Sequence, residues 1–323
     1  MTQEGGRESR RITNPHKTMS SLPAFTPTTS AEEVAAAFAD QIRGRNVLIT
    51  GTSIDGIGFE AARVLAKLKL SEEAIKKETP DANIRPLVLD LSSLAAVRKA
   101  AAKVNTYPEP LHVLINNAAG GGPEWPRDYI GPFLFTKLLV PKLLATASES
   151  YVPRVVVVAS DAHAFVPLDV NMVAHPSSDT YDLFGTYCQA KGANILFANE
   201  LSRRAKGKLN VYSLHPGDAE QFNLEVIHTN SLKKEDNKAA LIAIGTLTPE
   251  GLPNPDLSWK TLGQGAATTV AGTFDMRLDS KSGAYLVDCV EANDKVAPHC
   301  SDPETAAKLW TVTEKIIGEK FTF

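Results

Sequence analysis

Apolar residues in this chain alternate between short unbroken runs and longer stretches spaced three and four apart. Residues 46–50 (NVLIT), 111–115 (LHVLI), 154–159 (RVVVVA) and 209–214 (LNVYSL) are compact runs, which predicts buried strands. Residues 85–89 and 284–288 read as two further strands, weaker in pattern. Between them the apolar positions predict helices over 59–68, 92–104, 133–147, 186–201, 263–274 and 303–317. A helix is also predicted to begin after Ser30, with Glu33 as its capping-box partner, run through Val34, Phe38 and Ile42 and stop at Gly44. Strands alternating with helices predict an α/β fold with a parallel sheet and helices on both faces. Such sheets bind ligands beyond the carboxyl ends of their strands, where Gly51, Asp90, Asn117, Ser160 and Pro216 all fall.

The polar residues at those ends narrow the chemistry. The first strand runs into Gly51-Thr52-Ser53-Ile54-Asp55-Gly56-Ile57-Gly58 and then a helix, the arrangement in which backbone amides and a helix N-terminus can hold a pyrophosphate. A plain glycine-rich connection is the alternative. Tyr187 and Lys191 lie four positions apart and share a helix face. An ammonium beside a phenol can lower the phenol's pKa so that it passes a proton near neutral pH. On its own, that spacing also fits a solvated helix.

Composition removes other classes. The chain has 323 residues, 22% charged and 43% hydrophobic, with a formal net charge of −3, which argues against nucleic acid as a partner. Cys188, Cys289 and Cys300 have no metal-ligand spacing and fit a reducing setting; the expected location is cytoplasmic and no metal is expected. The most apolar long stretch, 133–144, is interrupted by Lys137, Pro141 and Lys142, so no membrane span is expected. Residues 1–29 read as a disordered tail without a secretory h-region, ahead of one domain over 30–323.

Taken in order, Thr50-Gly51 with Gly56-Ile57-Gly58, Asp90-Leu91-Ser92-Ser93, Asn116-Asn117-Ala118, Ser160, Tyr187-x-x-x-Lys191 and Pro216-Gly217 resemble the short-chain dehydrogenase/reductase family. The branch they are most similar to holds retinol-dehydrogenase-like and WW-domain-oxidoreductase-like members. The resemblance implies a Rossmann-type doubly wound sheet and hydride transfer between NADP or NAD, with a lean to NADP, and an alcohol/carbonyl pair on a small or hydrophobic substrate. It implies Tyr187 as general acid/base, Lys191 as the residue that lowers its pKa and holds the nicotinamide ribose, and Ser160 as hydrogen-bond partner of the carbonyl oxygen. Gly51, Ser53, Ile57 and Gly58 would line the pyrophosphate, and Asp90 and Leu91 would meet the adenine. Asn117 and Ala118 would lie along the ribose, and Pro216 and Gly217 against the nicotinamide. Homodimerisation through helices 133–147 and 185–205 is a further implication.

The chain departs from the family pattern in four places. The glycine turn holds four residues between Gly51 and Gly56, one of them Asp55, where three are usual. Only about 29 positions separate Gly58 from Leu87, too few for a helix, a strand and a second helix, so the usual second strand is expected to be missing. The strand at 85–89 is then expected either beside the first strand or across a gap. Asp128 stands where relatives carry an Asn of the proton relay; an anion there would raise the Lys191 pKa, oppose a phenolate at Tyr187 and impair activity. Gln221 stands where a Thr is usual. These losses keep open a catalytically impaired or non-catalytic binding protein.

Overall fold

The structure, a computed structural model, describes residues 22–53, 55–70, 85–119, 126–174, 183–217, 219–220, 223–224, 226–227, 235–243 and 245–323. Its first helix, α1 (Ala31–Ala37), forms because Ser30 and Glu33 satisfy each other's amides, the Glu33 carboxylate accepting from Ser30 N at 2.7 Å. Phe38 leaves helical geometry, so the single helix expected there is split into α1 and α2 (Ala39–Ile42). Residues 22–29, read from the sequence as tail, pack onto this layer. Phe25 meets Phe38 edge-on at 6.0 Å, and the Pro23 carbonyl accepts from Arg277.

The chain then alternates through β1 (Val47–Ile49), α3 (Ile57–Leu70), α4 (Leu94–Asn105), β2 (Val113–Asn116), α5 (Gly131–Leu144), β3 (Arg154–Val158), α6 (Val170–Ala174), α7 (Leu183–Ala205) and β4 (Asn210–Leu214). Two short strand pairs follow, β5 (Ala219–Glu220) with β6 (Asn223–Leu224), and β7 (Val226–Ile227) with β8 (Trp259–Lys260); α8 (Glu235–Ala243) lies between them. The closing elements are α9 (Leu262–Phe274), β9 (Tyr285–Val287), β10 (Val290–Glu291) and α10 (Pro303–Ile317).

The main sheet has the order β1-β2-β3-β4-β9-β10, parallel except for the β9–β10 hairpin. Alternate residues serve opposite faces. Leu114, Val155, Val157 and Val211 join α4, α5, α7 and α10, whereas Val113, Ile115, Val156, Tyr212 and Leu214 join α1, α3 and α9. The α/β, doubly wound, mainly parallel architecture is therefore as expected. β2, β3 and β4 are buried throughout, but β1 is only half-buried and has one neighbour, β2, among the described residues.

The strand expected at 85–89 is a correction: this segment has no regular secondary structure and joins no sheet among the described residues. Leu87 and Leu89 turn inward onto the α4–α5 core while Val88 between them is 94% exposed. Pro86 cannot donate to a ladder, and Arg85 is held outward by Glu109 at 2.5 Å and by the Tyr107 ring. The segment 71–84, where the usual second strand would end, lies outside the described residues.

α5 and α7 are buried along much of their length, α5 against α4 and β2, and α7 against α10, β3 and β4. Trp310 meets Phe133 edge-on at 4.8 Å and stacks on Phe197 at 6.0 Å, and Phe321 stacks on Trp310 at 4.9 Å. Glu319 ties this end down through Arg98 and Lys137. Among the described residues no helix is long and apolar enough to cross a membrane.

Candidate active site

The glycine turn between β1 and α3 is shaped by close approach to the end of β2. Gly51 has φ +72°, and a Cβ there would lie 2.5 Å from the Ala118 Cα. A Cβ on Gly58 would lie 2.2 Å from Asn117 Nδ2 and 2.7 Å from the Gly51 carbonyl oxygen. Asn117 Nδ2 donates to the carbonyls of Thr50 and Gly51 at 2.9 and 3.0 Å. Thr50 Oγ1 in turn accepts from the amides of Asn117 and Ala118 at 3.1 and 3.0 Å. These bonds put Gly51, Gly58, Asn117 and Ala118 in one cluster.

Gly56 N closes the turn onto the Ser53 carbonyl, and the first helical bond of α3 runs from Glu60 N to Gly56 O. The intervening amides of Ile57, Gly58 and Phe59 have no backbone acceptor among the described residues. Thr52, Ser53 and Asp55 are exposed around them, with Asp55 at φ +60°. The turn thus leaves a helix N-terminus open at the end of β1, a fit for a phosphate group. The adenine candidates lie apart from it in character. Asp90 caps its own turn, accepting from Ser92 N at 3.0 Å and Ser92 Oγ at 2.6 Å, and Leu91 is a core residue.

The proton-transfer candidates converge at the end of β3. Ser160 Oγ donates to Asp161 Oδ1 at 3.0 Å and accepts from Ala162 N at 3.2 Å. Lys191, 2% exposed, donates to the Val158 carbonyl at 2.9 Å, and its ammonium stands 5.5 Å from the centre of the Tyr187 ring. Burial raises the Tyr187 pKa well above its ordinary value. Ser160 opposes this, while the charges of Asp161 and Asp128 and the Cys188 thiol add to it. A phenol brought down toward neutrality is therefore not what the free protein holds. Burial also pushes the Lys191 ammonium down to about 8, with Asp128 opposing that fall. Pro216 and Gly217 are buried at the end of β4, beside His215.

Asp128 is 6% exposed, in a π-helical turn, Pro126–Ile130, that leads into α5. The neighbouring Tyr129 anchors that turn through its hydroxyl to Thr313 of α10 at 2.9 Å and through its ring against Phe133 and Phe197. Gln221 lies outside the described residues.

Sequence reasoning left out Asp161, His163 and His215, which the structure brings to the site. His215 Nδ1 accepts from Asp161 N at 3.3 Å. His163 Nε2 accepts from Ala297 N at 3.1 Å, so its Nδ1 carries the hydrogen donated to the Ser160 carbonyl at 2.7 Å. The signal in the sequence is their place immediately after the β3 run and after β4.

No family model matches the chain. It is 31% identical over 314 residues to the short-chain dehydrogenase/reductase prx1 of Penicillium rubens, covering 86% of each chain. The chain belongs to the short-chain dehydrogenase/reductase family. It is an oxidoreductase. It is also 29% identical over 303 residues to retinol dehydrogenase 13 of Mus musculus, covering 86% of this chain and 85% of that one. Among solved structures, L-sorbose reductase from Gluconobacter frateurii, complexed with NADPH and L-sorbose, shares the fold at TM-score 0.52 and 17% identity. That match covers 76% of this chain and 96% of the other.

Proposed function

We propose that this oxidoreductase interconverts an alcohol and a carbonyl on a small or hydrophobic substrate, with NADP or NAD as cofactor and Tyr187 as general acid/base. The observation that carries the reading is the Lys191 ammonium 5.5 Å from the centre of the Tyr187 ring and bonded to the Val158 carbonyl, two residues before Ser160, at the strand ends that hold the glycine turn. The cofactor's phosphates fit the open amides of Ile57, Gly58 and Phe59, in the cluster formed by Gly51, Ser53, Asn117 and Ala118. Pro216 and Gly217 are assigned to the nicotinamide end, and Asp90 and Leu91 to the adenine end. When bound, the nicotinamide supplies or takes up the hydride.

The chain's own residues handle the proton. In reduction Tyr187 donates its phenolic hydrogen to the oxygen that becomes the alcohol; in oxidation it takes that hydrogen back. Ser160, in exchange for its bond to Asp161, donates to the same oxygen and offsets the negative charge that grows there. Lys191 keeps a positive charge behind the Tyr187 ring, which favours the phenolate left after donation. NADP is the first choice of cofactor on family resemblance. The free, buried thiols of Cys188, Cys289 and Cys300 support a reducing compartment such as the cytoplasm.

Replacing Tyr187 by Phe tests the assignment. Carbonyl reduction should fall by about a hundredfold or more while the cofactor dissociation constant stays unchanged. A Tyr187→Phe enzyme as active as the parent sinks it.

A further inference from the structure

His163 is 1% exposed, and all four of its polar atoms are engaged, two in each direction. Its amide and its Nδ1 both donate to the Ser160 carbonyl, at 3.2 and 2.7 Å. Its Nε2 accepts from Ala297 N at 3.1 Å, and its carbonyl accepts from His299 Nε2 at 2.9 Å. One buried residue thus joins the end of β3 to a segment 134 positions further along the chain. That segment, Ala297 and the tight turn Pro298–Cys300, is itself packed on α7. Cys300 is fully buried at Gly192, the residue after Lys191, where a Cβ would lie 2.9 Å from the Cys300 Sγ and 4.0 Å from the His163 Cβ. The Tyr285 ring of β9 meets the His163 ring edge-on at 5.4 Å. A histidine that only fills space needs no defined tautomer. Here Nδ1 must carry the hydrogen and Nε2 must not.

We propose that His163 is a positioning residue: with the 297–300 segment, its neutral ring braces the end of β3 against α7 and so fixes Ser160 relative to Tyr187 and Lys191. The inference rests on those three being the proton-transfer residues. Ser160 acts on the substrate through Oγ, and the direction of Oγ follows the peptide whose carbonyl His163 grips twice. Without the Nδ1 bond that carbonyl keeps only the His163 amide, and the peptide is freer to tilt. A misplacement of about 1 Å at a reacting group can cost about a hundredfold in rate.

The test uses the full chain. Long-range 1H–15N spectra at about pH 7.5 should show the His163 ring, assigned by its loss in His163→Asn, protonated at Nδ1 and bare at Nε2. The opposite tautomer overturns the proposal. Two variants then separate the two links. His163→Asn can set its amide nitrogen where Nδ1 stands and keep the bond to Ser160; His163→Gln can reach Ala297 N but leaves the Ser160 carbonyl. With NADPH and a panel of aromatic and aliphatic aldehydes, kcat per folded enzyme should fall about tenfold or more in His163→Gln and less than about threefold in His163→Asn. The NADPH dissociation constant should stay unchanged in both. An undiminished kcat in His163→Gln, or equal losses in the two variants, overturns the proposal, because a purely structural histidine predicts one or the other. The expected tautomer with no turnover in any protein, parent included, supports the brace and counts against the proton-transfer assignment of Tyr187 instead.

Discussion

The ammonium of Lys191 lies against the ring of Tyr187, 5.5 Å from its centre, and donates to the carbonyl that ends β3. One helical turn and one strand end thus fix a charge whose burial the fold must tolerate, and that has a consequence for stability. The folded-state pKa of Lys191, about 8, lies below its unfolded value of 10.5. Between these values the unfolded chain binds more protons, so stability rises with pH. Relative to Lys191→Met, the parent should gain in denaturant midpoint from about pH 8 to about pH 10.5 and change little below that window. A difference that is flat across the window contradicts the burial of a charged Lys191.

At the acid end, His163 behaves in the same sense. Burial lowers its pKa below the ordinary 6.5, and the neutral ring is needed to accept from Ala297 N while donating to Ser160 O. Its contribution is present above about 6.5 and is lost as pH falls toward its folded-state value. Chemical denaturation at about pH 7.5 and about pH 5 should show the parent losing more stability than His163→Asn. Equal losses would place the acid sensitivity elsewhere.

Gly58 tests the turn. A Cβ there collides with the Asn117 side chain and with the Gly51 carbonyl, and the second of these is backbone. Gly58→Ala should destabilise the protein by about 1–3 kcal/mol, read by chemical denaturation, and weaken cofactor binding more than Gly207→Ala does at an open surface turn.

Trp310 holds α10 over Phe133 and Phe197. Trp310→Ala should cost about 3–5 kcal/mol in an unfolding titration. α10 packs along α7, and Phe133 of α5 lies against Trp310 and Phe321, so part of the surface of the two helices expected to pair two copies is taken up within one chain. Sedimentation should give the mass of one chain, 34.7 kDa; a dimer dissociated by changes on α5 or α7 would refute this.

The fold was legible where apolar runs were short and unbroken, as at β3, and where caps were explicit, as at Ser30 and Glu33. Residues 85–89 misled because Leu87 and Leu89 alternate like a strand, yet they bury their side chains under α4 and α5 without a ladder. Tyr187, Lys191 and Ser160 were readable from spacing and strand ends. Their electrostatics were not, because burial, which sets the direction of both pKa shifts, depends on β3, β4 and the turns after β3 and before α5 packing on α7. Asp161 and His163 were missed because their roles come from contacts that no residue pattern announces: the Asp161 carboxylate accepts from Ser160 Oγ, and the His163 ring bridges Ser160 O and Ala297 N.

The central claim is that the turn from Gly51 to Gly58 holds a nicotinamide dinucleotide although β1 has only one described neighbour. The most direct measurement is a fluorescence titration of the full chain with NADPH and with NADH. Saturable, sub-millimolar binding of at least one, weakened about tenfold or more by Gly58→Ala, is the predicted result. Absence of binding to either would contradict it.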